Sequence, residues 1–138
     1  MTTAVRIHDA IAYRVQRTAR LLRKHFLDLG VQHRIDLTPE QWFVLNQVYE
    51  GPGKSQSELV DEIFADRPNI TRIVAGLEAR GLVARRTDPH DGRRLLVGLT
   101  AKGRVMHDAF AALVPQARAT LRRGISDADL AVATRVLA

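Results

Sequence analysis

Four arginines bracket one short turn. In RRTDPHDGRRLLVGLT, residues 85–100, Arg85 and Arg86 precede the segment TDPHDG, and Arg93 and Arg94 follow it. Apolar residues lie beyond both pairs: Leu82 and Val83 on one side, Leu95, Leu96 and Val97 on the other. Short β-prone runs around a tip of Asp, Pro, His, Asp and Gly predict a β-hairpin. Residues 80–104 hold seven Lys or Arg and two Asp, while the whole chain carries 21 basic and 15 acidic residues for a net charge of +6. Nearly all the excess charge therefore sits on and around this hairpin. Such a concentrated basic patch suits a polyanionic partner. On charge alone, the alternative of a merely solvated basic surface stays open. A hairpin needs no arginine cluster to fold, so the cluster is expected to serve something outside the fold.

Other chemistries find little support. The 138 residues include no cysteine, which removes disulfide and thiolate chemistry and makes a reducing cytoplasm the simplest compartment. No apolar run approaches the roughly 20 residues of a membrane span. The N-terminus lacks a basic segment followed by an apolar core, so no signal peptide is expected. GPGKS at 51–55 ends like a phosphate-binding loop, but the glycine required five positions before Gly53 is Val48. The five histidines, His8, His25, His33, His90 and His107, show no ligand-like pairing. No nucleophile or acid–base pair stands out. No catalytic residue, metal or cofactor is expected.

The elements that must position the arginines can be read from apolar spacing and capping residues. Ile7, Ile11, Val15, Ala19, Leu22, Phe26 and Leu29 form one stripe of a long helix over about 4–29, with Gly30 as its expected end. A helix so long in so small a chain needs something to lie against, and a second subunit would serve. LTPEQW at 37–42 is a helix start: Thr38 as N-cap, Pro39 in the first turn, Gln41 closing a capping box, Leu37 and Trp42 as hydrophobic staple. Ser55 and Glu58 predict a second capping box, opening a short helix that ends near Phe64. Asp66 caps a third helix with inner residues Ile70, Ile73, Val74 and Leu77, and Gly81 ends it. Two helices with so tight a break have helix-turn-helix spacing, and a hairpin directly after them is a wing. Thr100 caps a further helix, Pro115 should kink or break it, and Ser126 with Asp129 opens a last one.

In this order the pieces resemble the MarR (multiple antibiotic resistance regulator) family of winged-helix transcription factors. The resemblance is densest over residues 37–103. Its most specific parts are L-E-x-x-G-L-V-x-R at 77–85, D-P-x-D-G-R-R at 88–94 and L-T-x-x-G at 99–103. It implies a mainly α fold with a small β-hairpin wing. Residues 37–100 would be a winged helix-turn-helix DNA-binding domain, and 1–36 with 101–138 a helical dimerisation region. It also implies a repressor that binds pseudo-palindromic double-stranded DNA as a homodimer and is released by a small aromatic or phenolic ligand.

The resemblance suggests roles for particular residues. The wing would lie along the DNA backbone, with Arg93 or Arg94 entering or bordering the minor groove, where negative potential favours arginine. Asp91 would pair with Arg93 and stiffen the tip; a turn residue without that role is the alternative. Arg67, Asn69, Thr71 and Arg72 sit near the start of the recognition helix, where side chains can reach base edges. Ser55 and Gln56 could hold phosphates. Tyr13, His33, Trp42 and Phe43 are candidate walls of a ligand pocket, although Trp42 has a sufficient role as staple and core. A winged-helix module that binds DNA or a protein partner without small-molecule control, and an enzyme or ligand carrier that has lost DNA binding, are the competing readings. The arginines at 67, 72, 93 and 94 argue against the latter.

Overall fold

The computed structural model describes residues 10–63 and 65–138. The expectations placed on Ile7, His8 and Phe64 lie outside them. Seven helices and one hairpin follow in order: α1 (Ile11–Gln32), α2 (Pro39–Gln47), α3 (Gln56–Ile63), α4 (Arg67–Ala79), β1 (Val83–Asp88), β2 (Asp91–Leu99), α5 (Ala101–Ala111), α6 (Val114–Arg122) and α7 (Asp127–Leu137). The fold is mainly helical, with one two-stranded antiparallel sheet as the wing. Among the described residues, no helix is long and apolar enough to cross a membrane.

The capping chemistry starts the helices where the sequence predicts. Thr38 Oγ1 accepts from the Gln41 backbone N–H at 3.2 Å, and Gln41 Oε1 accepts from the Thr38 N–H at 3.0 Å. Ser55 and Glu58 exchange the same pair of bonds at 3.3 and 2.7 Å. Asp66, Thr100 and Ser126 each accept a backbone N–H from three residues on. Each cap supplies a partner for a helix-end donor that would otherwise lack one.

One boundary differs from expectation. Gly30 does not end α1; it is buried inside the helix because a Cβ there would lie 2.5 Å from the Ile35 carbonyl oxygen. The stop falls at His33. The Ile35 N–H bonds the Gly30 carbonyl at 2.7 Å and the Arg34 N–H bonds that of Val31 at 3.3 Å, closing a Schellman turn around Arg34 at φ 56°. The matching turn after α4 places Gly81 at φ 70°. Pro115 splits its helix: the Ala112 and Leu113 turn separates α5 from α6, and the proline occupies the first turn of α6, where a missing N–H costs nothing.

The core lies in the middle of the chain. Val44, Leu45, Leu59, Ile70, Val74, Leu77 and Leu82 are fully buried, joined by Val83, Val97 and Phe110. Each such side chain is stabilised by roughly 1.5–3 kcal/mol on leaving water. In α6 and α7, by contrast, no residue is buried.

Candidate nucleic-acid interface and adjoining cavity

The wing is tied to the helices by its arginines. Strand pairing runs from Val83↔Leu99 to Thr87↔Leu95, then jumps to Asp88↔Asp91, so Gly92, Arg93 and Arg94 lack counterparts in β1. This bulge redirects side chains at the tip. Arg85 Nε meets the Glu78 carboxylate of α4 at 3.0 Å. Arg86 Nε donates to the Pro52 carbonyl at 2.8 Å. Arg94 reaches Glu58 of α3 at 2.5 Å, Ser55 Oγ at 3.3 Å and the buried Asp88 at 3.6 Å. The Ser55 backbone N–H first, and then Arg94, hold the Glu58 carboxyl below the usual carboxylate range.

Arg80, Lys102 and Arg104 likewise donate to backbone carbonyls, of Asp36, Arg80 and Tyr49. Of the seven basic residues in 80–104, Arg93 is the one whose side chain has no protein partner among the described residues. The cluster therefore has a use inside the fold that the sequence did not indicate. Most of it braces the wing against the body. Carboxylates offset the charge of Arg85 and Arg94, whereas Arg86, Lys102 and Arg104 keep theirs, because a carbonyl partner does not neutralise a guanidinium or ammonium.

The Asp91 contact also differs in kind from the expected one. Its carboxylate accepts the Arg93 backbone N–H at 3.0 Å, and no Asp91–Arg93 side-chain ion pair occurs among the described residues. Asp88, read from the sequence only as a turn and motif residue, is 8% exposed and accepts the His90 N–H at 2.8 Å, shaping the turn while facing Arg94. Its position before Pro89 in a turn was the available signal. The GPGKS segment serves the fold. Gly53 sits where a Cβ would lie 2.5 Å from the Val97 carbonyl oxygen. Lys54 then exchanges backbone hydrogen bonds with Val97 at 2.9 and 2.7 Å, fastening β2 to the start of α3.

The other interface candidates form one polar network on α3 and α4. Gln56 Nε2 donates to Thr71 Oγ1 at 3.1 Å, and Arg67 Nη2 to Ser57 Oγ at 2.8 Å. Arg72 Nη2 donates to Asn69 Oδ1 at 2.8 Å. Arg67, Thr71 and Arg72 are exposed, while Ile70 and Val74 between them are buried. Helical periodicity thus separates the outward polar edge from the core face.

A cavity of about 600 Å³ lies beside this lobe, between α1, α2, α5 and α6. Phe26, Trp42, Phe43 and Phe110 line it. Phe26 stacks on Phe110 with ring centroids 4.1 Å apart, and Trp42 lies parallel to His107 at 5.9 Å. His107 is buried behind Trp42, its ring nitrogens 3.1 Å from Asn46 Oδ1 and 3.0 Å from Asp108 Oδ1. The His107 hydrogen bond holds the Asp108 carboxyl below its ordinary value. Trp42 Nε1 and His25 Nε2 are buried without a hydrogen-bond partner. Of the four residues expected to wall a pocket, Trp42 and Phe43 border this cavity. Tyr13 borders a depression on α1, and His33 one between α1 and α6 that adjoins the cavity through His25, Leu29, Leu113 and Ala117. The spacing of Phe26 and Phe110 on distant helices gave no hint that they would join Trp42.

Comparison with known proteins fits this geometry. The model of the MarR family matches residues 35–94. A probable transcriptional regulator from Pseudomonas aeruginosa is similar at 28% identity and TM-score 0.80, over 96% of this chain and 97% of that one. CouR from Rhodococcus jostii RHA1, bound to p-coumaroyl-CoA, is similar at 26% identity and TM-score 0.83, over 97% and 93%. The transcriptional repressor CouR bound to a 23-mer DNA duplex superposes with TM-score 0.81 at 24% identity, over 98% and 96%. The helix-turn-helix and wing at 35–94 thus match the MarR family model, inside a fold that is similar along nearly the whole chain to winged-helix transcriptional regulators.

Proposed function

We infer that the protein is a cytoplasmic repressor that binds a pseudo-palindromic operator as a homodimer and is released by a small aromatic ligand. The observation that carries the DNA reading is Arg93. It stands on a bulged wing tip, exposed and unpartnered among the described residues, while its neighbours are committed to bracing. In this reading Arg93 enters the minor groove, and Arg94 holds the wing while lending charge nearby. Asp91 sets the backbone at the tip. Arg67, Asn69, Thr71 and Arg72 face base edges in the major groove, and Ser55 and Gln56 face phosphate. The similar repressor CouR, bound to duplex DNA, supports the same use of this fold.

Residues 37–100 are assigned to DNA binding, and 1–36 with 101–138 to dimerisation. Exposed Ile11, Val31, Val132, Val136 and Leu137 on the terminal helices support the second assignment. Soluble monomers rarely expose a large contiguous apolar face. The aromatic cavity, and the similarity to CouR with p-coumaroyl-CoA, support a ligand.

Fluorescence anisotropy with duplexes from the region upstream of the gene tests the DNA reading. Arg72→Ala should weaken binding by about 1–3 kcal/mol in a sequence-dependent way. Arg93→Ala should weaken operator and random duplex alike. Wild-type affinity and salt dependence in both variants would overturn the reading.

A further inference from the structure

Arg23 of α1 forms an ion pair with Glu40 in the first turn of α2. The two residues border two hollows at once. On one side is the aromatic cavity. On the other is a depression that they share with Asn69 and Arg72 of α4. The pair is thus a common wall between a ligand-sized cavity and the recognition helix.

The chemistry of that wall is one-sided. Arg20 and Arg118 also border the cavity, whereas Glu40 is the only carboxylate among its lining residues. The flat rings of Phe26, Trp42, Phe43 and Phe110 favour an aromatic body. An aromatic acid meets both demands.

Building on the ligand-responsive reading above, we propose that Glu40 is the counter-ion that an aromatic carboxylate displaces from Arg23, and that its release couples the cavity to the recognition helix. The incoming carboxylate takes the Arg23 guanidinium. Glu40, left without its cation, faces the depression it shares with Arg72. Arg72 is held there by a single side-chain bond, to Asn69 Oδ1 at 2.8 Å. A free carboxylate beside it competes with DNA for the same guanidinium. No bond is made or broken covalently; one ion pair is exchanged for another.

The chain has one tryptophan, and it lies in the cavity wall, so its fluorescence reports occupancy directly. The probes are 4-hydroxybenzoate and 4-hydroxycinnamate, each against its neutral amide. In the wild type the acids should bind at least tenfold more tightly than the amides, as a charge-assisted contact requires. Arg23→Gln should erase that preference. Glu40→Gln should bind the acids about two- to fivefold more tightly, the worth of a partly exposed ion pair, yet release operator DNA poorly when saturated with them. Both side chains are partly exposed, so neither change threatens the core.

Equal binding of acids and amides, or no quenching by any of the four, overturns the proposal. So does a Glu40→Gln protein that saturated acid releases from DNA as readily as the wild type. Acids and amides that bind equally and still release DNA would leave the ligand-responsive reading standing. Failure to bind operator without any ligand would instead sink the DNA reading.

Discussion

The winged-helix lobe and the terminal helices both carry apolar residues at helical spacing, but they use them differently. Leu45, Leu59, Ile70 and Leu77 have no exposed surface, whereas Val31 and Val136 are 79% and 71% exposed. The lobe closes on itself because its short helices cross around one point and the hairpin caps them. Helices α6 and α7 bury no residue at all. An amphipathic helix without a partner for its apolar face is only half of an interface. The contrast suggests that the lobe is stable by its own packing, while the terminal helices depend on a second copy.

The contrast is disturbed most severely from inside the lobe. Leu77→Ala should lower stability by about 2–5 kcal/mol, because a close-packed site cannot collapse around the missing methyls. Urea unfolding should show the loss at every protein concentration. A loss under about 1 kcal/mol would mean that the lobe is loosely packed.

Val136→Glu on α7 should act through association instead. We expect the dimer dissociation constant to rise by about tenfold or more, equivalent to roughly 1.4 kcal/mol, with little change in the lobe's helical signal. Sedimentation over a concentration series measures it. A wild-type protein that sediments as a monomer at micromolar concentration would remove the comparison altogether.

Arginine substitutions refine the division within the lobe. Arg93→Ala should reduce the slope of log affinity against log salt by roughly 0.9, the signature of one lost phosphate neighbour. Arg85→Ala should change that slope less. It should cost about 0.2–1 kcal/mol of stability instead, through its lost pair with Glu78. Equal effects of the two on DNA binding would contradict the separation of brace from probe.

A smaller effect depends on pH. Glu58 titrates below its ordinary value in the folded protein, since its anion accepts the Ser55 N–H and the Arg94 guanidinium. Its stabilising contribution is therefore fully present above the ordinary glutamate range, and is lost as the pH falls through the lowered folded value. The stability gap between wild type and Glu58→Gln should narrow on acidification and stay flat between about pH 6 and 8. A gap that widened in acid would show the sign to be wrong.

The smallest expected change is stabilising. Arg34 occupies a left-handed position that glycine fills after α4, so Arg34→Gly should be neutral or add up to about 1 kcal/mol by thermal melting.

Local architecture was legible in the order of the residues. The capping boxes at Thr38 and Ser55, the caps at Asp66, Thr100 and Ser126, and the turn at Gly81 are contacts among residues a few positions apart, so their chemistry can be read along the chain. The hairpin and its tip were legible for the same reason. What each long side chain meets emerged only with the packed molecule. Nothing in the spacing of Arg94 says that Glu58, 36 positions earlier, will stand 2.5 Å away. Nor could it show that Phe26, Trp42 and Phe110 would converge on one cavity while Tyr13 bordered a different depression and His33 an adjoining one. Local hydrogen bonds are set by chain connectivity, whereas the partner of a flexible charged or aromatic side chain is set by how the elements pack.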